Sequence, residues 1–143
     1  MPNRRKDDHL FNGRFRIEIE GVDVAHFMQC AGLEARVDVV EFSNGDDLRR
    51  RKRPGRPAVA NLVLRRGVTA STVLWDWFKQ TYDGSVQRRN GSVIVNDDTG
   101  QEIYRYNFYE GWPCRWKSLE LVADQPGSLI EELEIAIEHF ERG

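Results

Sequence analysis

The sequence has 143 residues, of which 40% are hydrophobic and 31% are charged, and its formal net charge is -2 at pH 7. This length predicts a single domain, and the composition excludes both a disordered chain and a membrane protein. The nearly balanced charge argues against a dedicated nucleic-acid binder, because such proteins carry a clear excess of basic residues. No apolar run approaches the roughly 20 residues of a membrane-spanning helix, so we expect no stable membrane insertion.

The chain begins with a polar and charged segment. Residues 1–13 predict an N-terminal arm, and residues 14–143 predict one domain. Residues 1–8 are followed by no apolar core, which predicts that the chain carries no secretory signal peptide. We therefore expect assembly in the cytoplasm.

Alternating apolar and polar residues predict the first strands. Phe15, Ile17 and Ile19 alternate with charged residues, and a second short extended piece follows over 22–29. The next strand runs over 33–42, where the alternation slips at Val40 and places Phe42 on the former polar side. A slip of this kind predicts a β-bulge or a strand bend.

Residues 43–57 are the longest stretch without periodicity and predict an extended loop, which is a common place for functional residues. Its density of arginine argues against burial within its own monomer, and it lacks the interleaved aromatic residues typical of nucleic-acid binding. We predict that the loop contacts an acidic protein surface. The predicted contact residues are Asp46, Asp47, Arg49, Arg50, Arg51, Lys52, Arg53, Pro54, Gly55 and Arg56.

One helix is predicted over about 70–83, after a strand at 58–66. Thr69 or Ser71 can cap its start, and Gly84 ends it. Its apolar stripe at helical spacing consists of Leu74, Trp77, Phe78 and Tyr82.

The second half of the chain predicts further strands. Residues 88–91 carry a turn signal before a strand at 92–96, and 97–100 predict a tight hairpin turn. The aromatic run at 106–116 predicts a strand, a turn at Gly111 and a second strand. Four Trp and four Tyr exceed what one core requires, so we expect some of them at subunit interfaces.

The final segment, 128–141, fits two structures. Leu129, Leu133, Ile137 and Phe140 have helical spacing, whereas Leu133, Ile135 and Ile137 alternate with glutamates as in a strand. The alternation and the surrounding β pattern favour a strand.

The final segment is also acidic, with Glu131, Glu132, Glu134, Glu138 and Glu141. Because the chain supplies opposite charges in two blocks, we predict that this acidic strand receives the basic loop of a neighbour. Two solvated surfaces that never meet are the alternative, and charge alone leaves it open.

The sequence holds no pattern typical of catalysis. His9, His26 and His139 are far apart, no nucleophile or phosphate-loop motif is present, and the Asp pairs lie in predicted turns. We predict no catalytic residue, no metal site and no cofactor. Cys30 and Cys114 fit two small buried hydrophobic residues, with a disulfide less favoured. Many strands with one helix indicate a β-barrel or β-sandwich against which that helix packs.

Several short motifs occur in an order that is similar to one known family. They lie at 15–21, 31–35, 51–55, 62–67, 74–77, 88–92 and 107–113, before the Glu-rich segment 131–141. In this order the sequence resembles the inner tube protein of contractile phage tails and of phage-tail-like contractile injection systems. The resemblance covers residues 12–142.

The resemblance implies a mainly β fold of two packed antiparallel sheets, β-barrel-like, with one flanking helix. It implies a homo-hexameric ring that stacks into a tube, with loop 43–57 reaching towards the adjacent ring. The implied partners are a contractile sheath protein, baseplate and tube-terminating proteins, and cargo in the lumen. It implies a structural protein of a virion tail or injection particle, not an enzyme.

Two alternatives stay open. One is a tube-initiating baseplate or adaptor paralogue of the same fold, which caps a tube instead of polymerising. The other is a small β-barrel enzyme or ligand-binding module, against which the missing polar constellation argues.

Overall fold

The computed structural model of this chain describes residues 15–20, 22–24, 27, 29–67, 71–97, 99–118 and 130–143. The predicted N-terminal arm lies outside the described residues, as do Thr69 and the predicted loop before residue 128.

The described residues form ten strands and one helix. These elements are β1 (Phe15–Ile19), β2 (Val22–Val24), β3 (Gln29–Ala31), β4 (Ala35–Phe42), β5 (Arg51–Val59), β6 (Leu62–Gly67), α1 (Val73–Tyr82), β7 (Arg89–Asn96), β8 (Glu102–Lys117), β9 (Ile130–Ala136) and β10 (His139–Arg142).

Eight strands form one antiparallel sheet in the order β2-β1-β7-β8-β9-β6-β3, with β10 also paired to β8. The long strand β8 pairs with β7 and β10 along its first part and with β9 along its second part. One hydrophobic core joins the two halves, since it includes Ile17 and Phe108 from the first and Leu64 and Ile135 from the second. These two halves, which share the long strand β8, are the two packed antiparallel sheets that the sequence predicted, and both they and the single helix are confirmed. Over the described residues the strands do not close into a barrel.

The predicted turn at Gly111 is wrong, because β8 continues through it as one strand with an irregularity. Glu110 has φ 56°, an uncommon left-handed conformation for a residue other than glycine. Its backbone N–H donates a hydrogen bond to Asn90 Oδ1 at 3.0 Å. The register of β7 against β8 shifts between Arg89 and Gly91, so the predicted turn at 88–91 is instead the start of β7.

The helix packs against β8 and contributes two fully buried side chains, Leu74 and Trp77. Trp77 Nε1 donates to the carbonyl oxygen of Gln87 at 2.8 Å, which satisfies the buried indole N–H. Tyr82 is wrongly placed in the predicted apolar stripe, because it is 80% exposed at the last turn. The N-cap position is Thr72 instead of Thr69 or Ser71.

The final segment is strand, as predicted, and not helix. It is divided into β9 and β10 by a short break at Ile137 and Glu138. Leu133, Ile135 and Ile137 are buried, in agreement with their alternation in the sequence. The predicted strand at 58–66 is also divided, because β5 ends at Val59 and β6 begins at Leu62.

Residues 43–57 are not one loop. Strand β5 takes up residues 51–57 and pairs antiparallel with β4, so only residues 43–50 connect the two strands. The sequence of β5 has no alternation and contains two prolines, and its extended conformation follows from pairing with β4. These two strands form a separate two-stranded sheet.

Candidate assembly surfaces

The β4–β5 hairpin, residues 35–59, is paired to no other strand among the described residues. Its nine-residue strand β5 spans about 30 Å at roughly 3.3 Å per residue. Apolar side chains on it are exposed, including Val39 at 62% and a fully exposed Leu48. Clusters of exposed apolar side chains mark interaction sites, so the hairpin is a candidate contact element.

A β-bulge sets which side chains share a face of the hairpin. Val37 pairs with Pro57 and Val39 with Pro54, so Asp38 of β4 faces two residues of β5, Gly55 and Arg56, and the extra residue lies in β5. The predicted slip at Val40 therefore has a counterpart in this hairpin, but the irregularity lies between Val37 and Val39 and its extra residue belongs to β5. Gly55 lies opposite, where an added Cβ would be 3.0 Å from the carbonyl oxygen of Asp38. The close approach of the two strands favours a glycine at this position.

The hairpin is strongly basic. Residues 35–59 hold seven cationic and four acidic side chains, a local charge of +3 in a chain whose net charge is -2. Arg50 lies 3.1 Å from Glu41 and Arg51 lies 3.2 Å from Asp47, but these pairs are exposed. Exposed pairs contribute little to stability, so the hairpin does not need them to stay folded.

Four cations of the hairpin have no ion-pair partner among the described residues: Arg49, Lys52, Arg53 and Arg56. Arg53 stacks over the Phe42 ring at 5.7 Å. Asp46 lies in the connection at the tip, and Pro54 and Gly55 lie within β5.

The predicted acidic strand is mostly occupied within its own protomer. Glu132 lies 2.6 Å from Arg65 Nε and 2.7 Å from Arg115 Nη1, and it is buried. The hydrogen bonds from Arg65 and Arg115 lower the pKa of this carboxyl. Glu132 is therefore an ionised group that already has two cationic partners.

Three other glutamates of the predicted acidic strand also have partners within the protomer. Glu131 lies 3.2 Å from the buried Arg66, Glu134 accepts a hydrogen bond from Asn61 at 3.0 Å, and Glu138 lies 3.1 Å from Arg88. Glu141 has no described ion-pair partner, although it is part of the same predicted strand. The structure thus separates Glu141 from the four glutamates that bind partners within the protomer.

A second acidic surface was not predicted from the sequence. The register across β1, β7, β8 and β10 places Glu18, Ser92, Asn107 and Glu141 in one row on the side facing away from the core. Ser92 Oγ and Asn107 Oδ1 are 2.6 Å apart in the middle of this row. Three residues of this row, Glu18, Ser92 and Asn107, line a cleft of about 380 Å³ together with Glu20, Asn90 and Tyr109. The alternation of β1 already indicated that Glu18 and Glu20 point outward, but only the register places Glu18 in one row with Glu141, with β7 and β8 between them.

Neither cysteine has the character of a nucleophile. Burial raises the pKa of Cys30 to about 11, and burial and then the Glu134 carboxylate raise the pKa of Cys114. Both thiols are free and half-buried, so they are protonated at neutral pH.

No three His, Cys, Asp or Glu residues in the described part of the chain are arranged to hold a metal ion. No described helix is long and apolar enough to span a membrane.

The aromatic residues divide between the core and the surface. Trp77 is buried, whereas Trp75 is 41% exposed and contacts Trp116 with ring centroids 5.4 Å apart. Phe78 extends this cluster, at 5.8 Å from Trp75. A role of these rings at a subunit interface stays a prediction.

The chain is similar to known proteins over most of its length. The family model described as "T4-like virus tail tube protein gp19" matches residues 12–141. No curated protein matches the chain.

Three solved structures show the same architecture. A chain of the anti-feeding prophage baseplate, 6-fold symmetrised, is 20% identical with a TM-score of 0.84, covering 93% of this chain and 94% of that chain. A chain of an extracellular contractile injection system, the PVC sheath-tube complex in the extended state, is 22% identical with a TM-score of 0.82, covering 92% and 88%. Hcp1 from Flavobacterium johnsoniae is 17% identical with a TM-score of 0.58, covering 91% and 94%.

Proposed function

Because this chain belongs to the T4-like virus tail tube protein family, we propose that its copies form six-membered rings that stack into the inner tube of a contractile tail or injection system. The family is one of structural tube proteins, and the function follows from assembly and not from chemistry at one site. The observation that carries the proposal is the β4–β5 hairpin.

The hairpin supports self-assembly because exposure of its apolar side chains to water is unfavourable. It exposes apolar side chains such as Val39 and Leu48 and has no strand partner beyond itself among the described residues. Contact with a second copy removes this surface from water. A head-to-tail contact of this kind closes into a ring when its rotation permits, and otherwise continues as a filament.

The open edges of the main sheet support the same proposal. The described sheet ends at the three-residue strands β2 and β3, neither of which pairs with a further strand among the described residues. Free edges invite pairing with other chains, and closure of sheets around a ring removes them. The rings thereby gain a continuous lumen wall.

The proposed partners outside the ring are a contractile sheath, a baseplate and a tube-terminating protein. Similar chains occur in a sheath-tube complex, a baseplate and a tube-terminating cap. In the proposed function, contraction of the sheath drives the tube and its cargo into a target cell. Assembly takes place in the cytoplasm, after which the protein is part of the particle.

The test is the solution mass of the purified chain together with negative-stain electron microscopy. We expect rings with the mass of six protomers, and tubes at higher protein concentration. A species that stays monomeric at all concentrations would contradict the proposed function.

A tube-initiating baseplate protein is a second candidate, favoured by the similarity to a baseplate chain. Such a protein forms one ring and stops. Long tubes formed by the purified chain alone exclude this candidate, whereas single rings at every concentration support it.

A further inference from the structure

We propose that Asn44 is a site of spontaneous deamidation at the tip of the β4–β5 hairpin, whereas Asn90, which is also followed by a glycine, is protected by the fold. The sequence contains three Asn-Gly pairs, at 12–13, 44–45 and 90–91, and the first of them lies outside the described residues. Water is the only co-reactant. The reaction changes the protomer itself and does not depend on tube assembly.

The reaction joins an asparagine side chain to the backbone nitrogen of the next residue. The Gly45 nitrogen attacks Cγ of Asn44, a C–N bond forms to close a succinimide ring, and the bond from Cγ to Nδ2 breaks. Nδ2 leaves as ammonia with the proton of the Gly45 N–H. Water then opens the ring at either carbonyl carbon, which yields aspartate or isoaspartate, and nothing is oxidised or reduced. A glycine favours ring closure because it has no Cβ to obstruct its own nitrogen or to restrict its backbone.

The reacting groups at the hairpin tip are free. Asn44 and Gly45 lie in the exposed connection between β4 and β5. Among the described residues, neither the side-chain amide of Asn44 nor the N–H of Gly45 takes part in a hydrogen bond. Apart from the chain neighbours of Gly45, no atom lies within 4 Å of a Cβ added there. The electrophile and the nucleophile are therefore unobstructed by other contacts.

The turn that contains these groups is held by few bonds. The Asp47 N–H donates to the Asn44 carbonyl oxygen at 2.9 Å, and the Asn44 N–H donates to Asp47 Oδ2 at 2.9 Å. Segments held by a few exposed hydrogen bonds open at little cost in free energy. Opening of this turn frees the backbone of Asn44, so that its Cγ can approach the Gly45 nitrogen.

The second pair is exposed but held. Asn90 has an exposed side chain, so exposure alone does not separate the two sites. Its Oδ1 accepts a hydrogen bond from the Glu110 N–H at 3.0 Å, and its carbonyl oxygen accepts one from the Glu20 N–H at 2.8 Å. Gly91 is paired with a residue of β1 on one side and a residue of β8 on the other. Ring closure at Asn90 therefore requires β7 to separate from both neighbouring strands.

The change at Asn44 alters a surface that the proposed function uses, and this consequence rests on that function. Either product places a carboxylate at the tip and removes one of the three net positive charges of the hairpin. In isoaspartate the main chain also runs through Cγ, so the carbonyl group that accepts the Asp47 N–H leaves the main chain. We expect protomers modified before assembly to join a tube more weakly than unmodified protomers.

The experiment follows each Asn-Gly pair in its own peptide by mass spectrometry, while the purified chain is incubated at mildly alkaline pH. We expect Asn44 in the folded chain to be converted about tenfold or more faster than Asn90, because even a modest cost of opening β7 gives this factor. In urea that unfolds the chain, the two rates should become similar, since both pairs then lie in an open chain. Asn12 is measured separately and does not enter this ratio.

Two variants are the controls. Gly45→Ala keeps the asparagine but should slow its conversion several-fold, because the added methyl group obstructs the attacking nitrogen. Asn44→Gln should abolish conversion at this position, because its longer side chain would have to close a larger ring. Thermal unfolding checks that both variants are as stable as the unmodified chain, as expected from the open space around Gly45.

The outcomes separate the modification from the proposed function. If Asn44 in the folded chain reacts no faster than Asn90, or if the ratio of the two rates stays the same in urea, the modification site is wrong. The modified and unmodified fractions, separated by ion exchange, are then compared in tube growth. Equal growth refutes the consequence for assembly and leaves the tube proposal standing. If the unmodified fraction never assembles, the proposed function fails, whereas the peptide masses still decide the modification.

Discussion

Arg65 Nε donates a hydrogen bond to Glu132 Oε1 at 2.6 Å and joins the paired strands β6 and β9 on the side facing away from the core. Arg115 Nη1 donates to the other carboxylate oxygen at 2.7 Å, so a third strand, β8, is joined to them. The carboxylate is buried beneath two arginines that are each about half exposed. The most acidic strand of the chain therefore stabilises its own protomer.

Substitution of Glu132 tests this relationship. We expect Glu132→Gln to lower the free energy of unfolding by about 1–3 kcal/mol, because it removes a charged acceptor shared by two arginines. The measurement is urea unfolding at neutral pH. Glu138→Gln is the control, since it removes an exposed pair with Arg88 and should change stability by less than about 1 kcal/mol. Equal losses in the two variants would contradict the internal role of Glu132.

The same group makes stability depend on pH. The pKa of Glu132 is lower in the folded chain than in the unfolded chain, so the unfolded chain binds more protons and stability rises with pH. The contribution is complete above the unfolded pKa, about 4.3, and is lost as pH falls through the lower folded pKa. We expect the stability difference between the unmodified chain and Glu132→Gln to shrink below about pH 4. Urea midpoints measured from pH 7 to pH 3 check this, and a constant difference would refute it.

Gly91 tests the close approach of β1, β7 and β8. An added Cβ would contact the Phe108 ring and lie 2.5 Å from the carbonyl oxygen of Glu18. We expect Gly91→Ala to lower the free energy of unfolding by about 1–3 kcal/mol through overpacking. Gly45→Ala is the control, because no atom lies within 4 Å of its added Cβ, and it should change stability by less than about 0.5 kcal/mol. If Gly91→Ala leaves the free energy of unfolding unchanged, the strands can separate there and the prediction is wrong.

The hairpin arginines test assembly without testing the fold. We expect Arg50→Glu, Arg51→Glu and Arg53→Glu together to leave a folded monomer, because all three side chains are exposed. Tube growth should stop, because the substitutions reverse the charge of the hairpin at the contact. Circular dichroism reports the fold and negative-stain microscopy the tubes. Tubes of normal length from this variant would exclude the hairpin as a contact. Growth of the unmodified tubes should also weaken at high salt, which screens exposed charges.

Local patterns in the sequence predicted much of the protomer. Alternation is a property of neighbouring residues, so it correctly identified the buried sides of β1 and β9. The helical stripe placed Leu74 and Trp77 in the core for the same reason. The phase slip at Val40 lies near the irregular part of the hairpin, although the extra residue is in β5. The order of the motifs gave the family, which the match over residues 12–141 confirms.

The misassigned elements depend on partners distant in sequence. Strand β5 has no alternation because most of its side chains are exposed, and its extended form comes from pairing with β4. Glu110 takes a left-handed conformation within β8, which no local preference of glutamate indicates.

Charges show the same division most clearly. The order of residues in the sequence alone determined that the chain carries a basic block and an acidic block. The tertiary structure decided that Glu132 pairs with Arg65 and Arg115, whereas Glu141 lies in a row with Glu18. The physical reason is that strand register brings together residues from four separate parts of the chain, and register follows from the packing of the whole sheet.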